Sequence, residues 1–207
     1  MHARSRFVVP RKPMANEPQP SASTVAATPP KPSEAEQRED WFVTTANPWD
    51  EIVSLEFGGD RTYATTIERM VVNADSTQHP ALEKELLTAL ARAELRPAGR
   101  LFICRMLALI GSATAVPALK PLLNDNATAD VARLALDGID APSVNETYRA
   151  ALDKLTGAPK AGLIGSIAVR GDVQALDLLR AIAAAPAEAK DVRTAATRAV
   201  ERLETTT

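Results

Sequence analysis

Side chains suited to nucleophilic, proton-transfer or metal chemistry are scarce in this chain of 207 residues, which holds two histidines, His2 and His79, and one cysteine, Cys104. A zinc centre needs several thiolates or imidazoles converging on one ion, and this inventory cannot assemble one. His79 precedes Pro80 and reads as a turn residue or helix cap, with nothing around it to make it a general acid or base. Cys104 lies in an apolar run and reads as a small buried hydrophobe. One thiol cannot close an intrachain disulfide, so the fold does not depend on oxidation. Paired carboxylates are equally unspecific. Asp137 and Asp140 flank an expected helix end, and Glu83 and Glu85 do not face each other on a helix. Asn126-Ala127-Thr128 and Asn145-Glu146-Thr147 fit a glycosylation pattern too short to carry weight. Gly58-Gly59-Asp60 has no strand before it and no Gly-Lys-Ser/Thr after it, so it is a helix break and cap rather than a phosphate loop. No catalytic, cofactor-binding or metal-ligating residue is assigned.

Charge narrows the function classes further. The formal net charge is −2 and the isoelectric point is near 5.8. A grip on nucleic acid without sequence preference needs many phosphate-neutralising cations, so the balance argues against one. After residue 40 there are thirteen arginines and five lysines, a bias that would suit planar contacts to carboxylate or phosphate. The twenty-one acids of that stretch are spread among them, as on a solvated helical surface.

The elements that position these residues are helices. Residues 1–40 hold seven of the fifteen prolines and little that could be buried, so they are expected to form a disordered tail or linker. Residues 41–207 form the expected ordered domain. Pro48 opens a short helix, Trp49–Phe57, with Trp49, Ile52, Val53 and Phe57 on one face as a cap. Further helices are expected near 61–73, 80–95, 98–110, 113–124, 128–139, 142–156, 159–170, 172–184 and 188–204. Pro80, Pro97, Pro142 and Pro159 fall at or near helix starts, where a missing N–H is harmless. Ser112 and Asp172 are candidate caps. Pro121, deeper in its helix than Pro117, should bend it. The clearest amphipathic face is Val144, Tyr148, Ala151, Leu152 and Leu155. No run of about 18 apolar residues occurs, so no membrane span is expected. Phe7-Val8-Val9 is too short for the core of a signal peptide. As the sequence stands the cytoplasm is the expected location; a signal segment upstream would make it secreted or periplasmic.

A repeat governs the layout. Leu101–Leu123 and Ala161–Ala183 align without a gap at an offset of 60 residues, the signature of stacked repeats. Leu107 matches Ile167, Ala115 matches Ala175, Leu119 matches Leu179, Lys120 matches Arg180, and Gly111 matches Gly171. The stretch Ile110-Gly111-Ser112-Ala113-Thr114-Ala115-Val116-Pro117-Ala118-Leu119-Lys120-Pro121-Leu122-Leu123 resembles the HEAT-repeat pattern. There a helix ends at glycine and Ala-Val-Pro-Ala-Leu opens its partner. Ala132-Arg133-Leu134-Ala135-Leu136 resembles the first helix of a next unit. Pro142 to Asp172 is similar to a bacterial HEAT subgroup, members of which are often secreted and joined to other domains. Gly171-Asp172 keeps the family's usual Gly-Asp, whereas Gly111-Ser112 departs from it.

The resemblance covers about 48–204. It implies an all-α fold, a right-handed α-solenoid of about five helical hairpins, and a non-enzymatic protein–protein interaction module or scaffold. The partner is a protein of unknown identity. The alternatives are a nucleic-acid-binding HEAT-like solenoid and a HEAT-like lyase accessory protein. Projecting opposite the apolar faces of the second helices are Lys120, Arg149, Asp153, Asp177 and Arg180. They are the candidate protein-binding residues, expected along one strip of mixed charge.

Overall fold

The structure, a computed structural model, describes residues 46–206. The expectations for the 1–40 tail and for Trp41 fall outside the described residues. Within them the chain is entirely helical, with no strand. The helices are α1 (Pro48–Glu51), α2 (Thr62–Asn73), α3 (His79–Leu90), α4 (Pro97–Ile110), α5 (Val116–Leu123), α6 (Ala129–Gly138), α7 (Pro142–Ala151), α8 (Gly157–Val169), α9 (Leu176–Ala184) and α10 (Lys190–Thr206). Single 3-10 turns occupy Ile52–Ser54, Ala113–Ala115 and Val173–Ala175.

The prolines act as the sequence implies. Pro48, Pro97 and Pro142 are the first residues of α1, α4 and α7, and Pro80 and Pro117 the second of α3 and α5, positions that need no backbone donor. Asp60, two residues before the start of α2, accepts the Thr62 backbone N–H at 2.9 Å. Helix α5 continues through Pro121 to Leu123.

Packing follows chain order. α2 packs on α4, α4 on α6, α6 on α8, and α8 on α10. Each odd-numbered helix packs on the even-numbered helix that follows it, and α1 also packs on α3 and α5 on α7. The core contains the whole amphipathic set Val144, Tyr148, Ala151, Leu152 and Leu155.

The 60-residue offset relates complete units. α4, the 3-10 turn at 113–115 and α5 correspond to α8, the turn at 173–175 and α9. Leu107 and Ile167, Ala115 and Ala175, and Leu119 and Leu179 are all fully buried. The glycines differ. Gly111 is extended at φ −65°, whereas Gly171 has φ 68°, the left-handed region that favours glycine. Gly138 has another role. A Cβ there would lie 2.1 Å from the Ala108 carbonyl oxygen, so α6 meets the backbone of α4 at a point only glycine permits.

Three expectations are corrected. The first helix ends as a 3-10 turn at Ser54, and the chain turns extended at Leu55. Leu55 is therefore buried and Phe57 is 72% exposed. Helix α3 stops at Leu90 rather than 95. Pro97 holds Arg96 extended, at φ −74° and ψ 157°, so the chain must leave the helix earlier. Helix α7 stops at Ala151 rather than 156. Asn126 receives the Thr156 backbone N–H at 3.2 Å and donates to its hydroxyl at 2.8 Å. Thr156 is thereby fixed in an extended conformation.

Candidate interaction surface

The five charged residues singled out by sequence have unequal surroundings. Lys120 is exposed on α5, and Asp153 is exposed in the turn after α7. Asp177 and Arg180 pair along α9 at 3.0 Å, and Arg180 also reaches Glu204 on α10 at 2.7 Å. Arg149, in the last turn of α7, is directed at Asp172. Its Nη1 lies 2.7 and 2.6 Å from the two carboxylate oxygens. The exposures of the two side chains are 19% and 4%. Arg149 is thus held within the fold and Arg180 is engaged by two carboxylates at the surface, whereas Lys120 and Asp153 are exposed.

Asp172 does not cap its helix; its side chain makes no capping hydrogen bond, because both oxygens face Arg149. Ser112, its repeat equivalent, does cap, accepting the Thr114 N–H at 3.1 Å. Ser112 is tied in turn to α3. Its backbone N–H donates to Glu83 Oε1 at 2.7 Å, and its hydroxyl lies 2.8 Å from Oε2. Both repeat-related junctions are therefore clasped by a side chain from the preceding odd-numbered helix, with opposite polarity. A carboxylate reaches out to Ser112, and a guanidinium reaches out to Asp172.

A second polar cluster joins α6, α7 and α8. Tyr148 is fully buried and donates to Asp137 Oδ1 at 2.7 Å. Asp137 Oδ2 accepts from Ser166 at 3.0 Å and from Arg133 at 3.2 Å. Burial, and then the Asp137 contact, raise the Tyr148 pKa well above its ordinary value, because ionisation would place charge in an apolar surround. Arg170 lies 6.0 Å from the centre of the Tyr148 ring. It donates to Asn145, to the Ile139 carbonyl and to the Ala141 carbonyl. These groups bond to one another and tie the helices together, as a latch does, although Arg133 Nε is buried without a partner. The sequence signal for it was the i, i+4 spacing of Arg133 with Asp137.

Cys104 is fully buried, and burial pushes its thiol up to about 12. Such a thiol is inert as a nucleophile at neutral pH. A groove of about 370 Å³ runs between α3 and the α4–α5 junction, lined by Pro80, Glu83, Lys84, Leu87, Thr88 and Thr114. A second hollow of about 300 Å³ lies among Glu51, Leu55, Glu56, Asp60 and Tyr63. Glu56 there pairs with Arg96. Among the described residues no cluster of histidine, cysteine and carboxylates could hold a metal ion. No described helix is long and apolar enough to cross a membrane.

Compared with known proteins, the chain matches no family model, no curated protein and no solved structure.

Proposed function

We propose that the chain is a non-enzymatic protein–protein interaction module, a short HEAT-like α-solenoid of about five helical hairpins. The observation that carries this reading is the repeat. Segments 60 residues apart fold into the same helix, 3-10 turn and helix, each packed on the helices of the next unit. A fold that grows by adding equivalent units offers a continuous outer face, and proteins so built act by presenting that face. Binding to a preformed face carries little ordering cost.

The state of the reactive groups supports the same reading. The thiol of Cys104 and the phenol of Tyr148 are buried with raised pKa. Six of the arginines, at 92, 96, 133, 149, 170 and 180, are engaged with carboxylates or backbone carbonyls of the chain itself. Arginines so occupied are poorly placed to gather phosphates, which favours a protein partner over nucleic acid.

The test is site-specific photocrosslinking in a lysate of the source organism. A benzoylphenylalanine is placed in turn at Lys84, Lys120 and Glu146 on the odd-numbered helices, and at Glu68, Arg105 and Leu134 on the even-numbered ones. The expected result is one partner protein captured from neighbouring positions on either the odd-numbered or the even-numbered helices. Absence of any protein adduct from all six positions, with every variant folded, overturns the reading.

A further inference from the structure

We propose that the groove between α3 and the α4–α5 junction docks an extended segment of a partner protein, which presents one lysine or arginine side chain to Glu83. This rests on the interaction-module reading above. The observation behind it is an uncompensated buried carboxylate. Three charged side chains are buried among the described residues: Glu83, Lys160 and Asp172. Lys160 pairs with Glu188, and Asp172 pairs with Arg149. Glu83 is 4% exposed and has no cation within ion-pair distance among the described residues. Buried charges are ordinarily paired, because desolvating one alone is costly.

Ser112 meets only part of the demand. It supplies two protons, one from its backbone N–H and one from its hydroxyl. A carboxylate offers about four acceptor positions, so the side chain retains capacity for a further donor. The repeat makes the vacancy specific. At the second junction Arg149, 23 residues before Asp172, supplies the cation. The residue 23 before Ser112 is Ala89, which carries no charge, and its neighbour Thr88 forms part of the groove wall. The chain provides the cation at one junction and leaves it to a partner at the other.

The remaining walls fit an extended peptide. Pro80 and Leu87 give apolar contact, and Thr88 and Thr114 add hydroxyls. Lys84 also lines the groove but projects about 100° around the helix from Glu83. It disfavours a second cation and selects segments with a single one.

The experiment pans a phage-displayed library of random peptides on the full chain and on an unrelated helical protein. Enriched sequences are synthesised with a fluorescein label and titrated by anisotropy. Each is paired with a counterpart in which its lysine or arginine is replaced by norleucine. Enriched peptides are expected to share one cationic residue. The norleucine counterpart and the Glu83→Gln variant should each weaken binding by about tenfold or more, the scale of a truncated buried charge pair. Thr88→Arg, which places a cation and bulk in the groove without touching the Ser112 clasp, should abolish binding while leaving the melting temperature unchanged. If Glu83→Gln fails to fold, the norleucine peptides and Thr88→Arg decide the matter. Enriched peptides that need no cation, or that bind Thr88→Arg equally well, overturn the groove and leave the interaction-module reading standing. No enrichment over the control protein overturns the groove proposal, and a simultaneous failure of photocrosslinking overturns the wider reading as well.

Discussion

Removing Arg149 should damage the fold more than removing the charge it faces. Arg149→Met keeps the aliphatic stem but strips the guanidinium from Asp172, whose side chain is 4% exposed. The carboxylate is then left buried with no cation, a change that costs about 3–5 kcal/mol. Asp172→Asn leaves a guanidinium that is 19% exposed and can turn to water, so about 1–3 kcal/mol is expected, the cost of one unsatisfied polar group. The double variant should recover part of the sum, because neither charge then remains. Lys120→Met, at an exposed site, should fall within about 0.5 kcal/mol of the parent. The assay is urea and thermal unfolding followed by circular dichroism at fixed ionic strength. For an ordered region of this size, each kcal/mol moves the melting temperature by about 2–4 °C, so Arg149→Met should lower it by roughly 6–20 °C on that scale. The ordering is the decisive feature. If Arg149→Met costs no more than Lys120→Met, or less than Asp172→Asn, the buried ion pair is not the tie at this junction. Charge reversal at Arg149 is for the same reason a test of stability rather than of partner binding.

Four other variants follow, three that test the packing and one that tests the pH dependence. Leu152→Ala removes a side chain 1% exposed and should cost about 2–5 kcal/mol in urea unfolding; a change below half of that lower bound would place the residue outside the core. Two glycine substitutions should have opposite signs. Gly138→Ala drives a Cβ into the Ala108 backbone and should destabilise by about 1–3 kcal/mol, whereas Gly165→Ala, where nothing lies within 4 Å, should stabilise by about 0.5–1 kcal/mol. Cys104 supplies the pH dependence. Its thiol is raised from 9.0 to about 12, so the folded state holds its proton where the unfolded state has lost it. The contribution is complete below pH 9.0 and is lost as pH rises toward about 12. A Cys104→Ala variant should show a shallower alkaline decline, and the native thiol should resist Ellman's reagent at pH 8 until urea unfolds the chain.

Helix content was legible because it depends on local rules. Prolines at helix starts, the absence of alternating apolar residues and the 60-residue offset each act within one segment, and the helical pattern of the described residues follows them. Helix ends were less legible, since two were set from outside the helix. Asn126 reaches across 30 residues to hold Thr156 extended. The turn at Arg92–Arg96 is tied back to the first helices by Arg92–Asp50 and by the Arg96 N–H on the Val53 carbonyl. Glu83 was visible only as one of two carboxylates that do not face each other. Its partner, Ser112, is 29 residues away, and no period in the sequence links them.

The same limit applies to the charged strip. A helix wheel gives the direction of a side chain from its own axis, not what the next helix places in front of it. Lys120 and Arg180 hold equivalent repeat positions, yet Arg180 meets Glu204 on α10. The residue 60 before Glu204 is Val144, which is in the core. Lys120 therefore keeps an exposed charge where its counterpart is tied down. Equivalence of backbone positions carries the fold from unit to unit, and the departures from equivalence give each unit its own surface. Gly111-Ser112 against Gly171-Asp172 is such a departure: a changed junction residue goes with a changed clasp, and the polarity of the clasp decides whether the chain neutralises its own buried carboxylate. Any selectivity between partners should accordingly follow the residues at which the two junctions and their clasps differ, Ser112 and its α3 partner Glu83 foremost, rather than those they share.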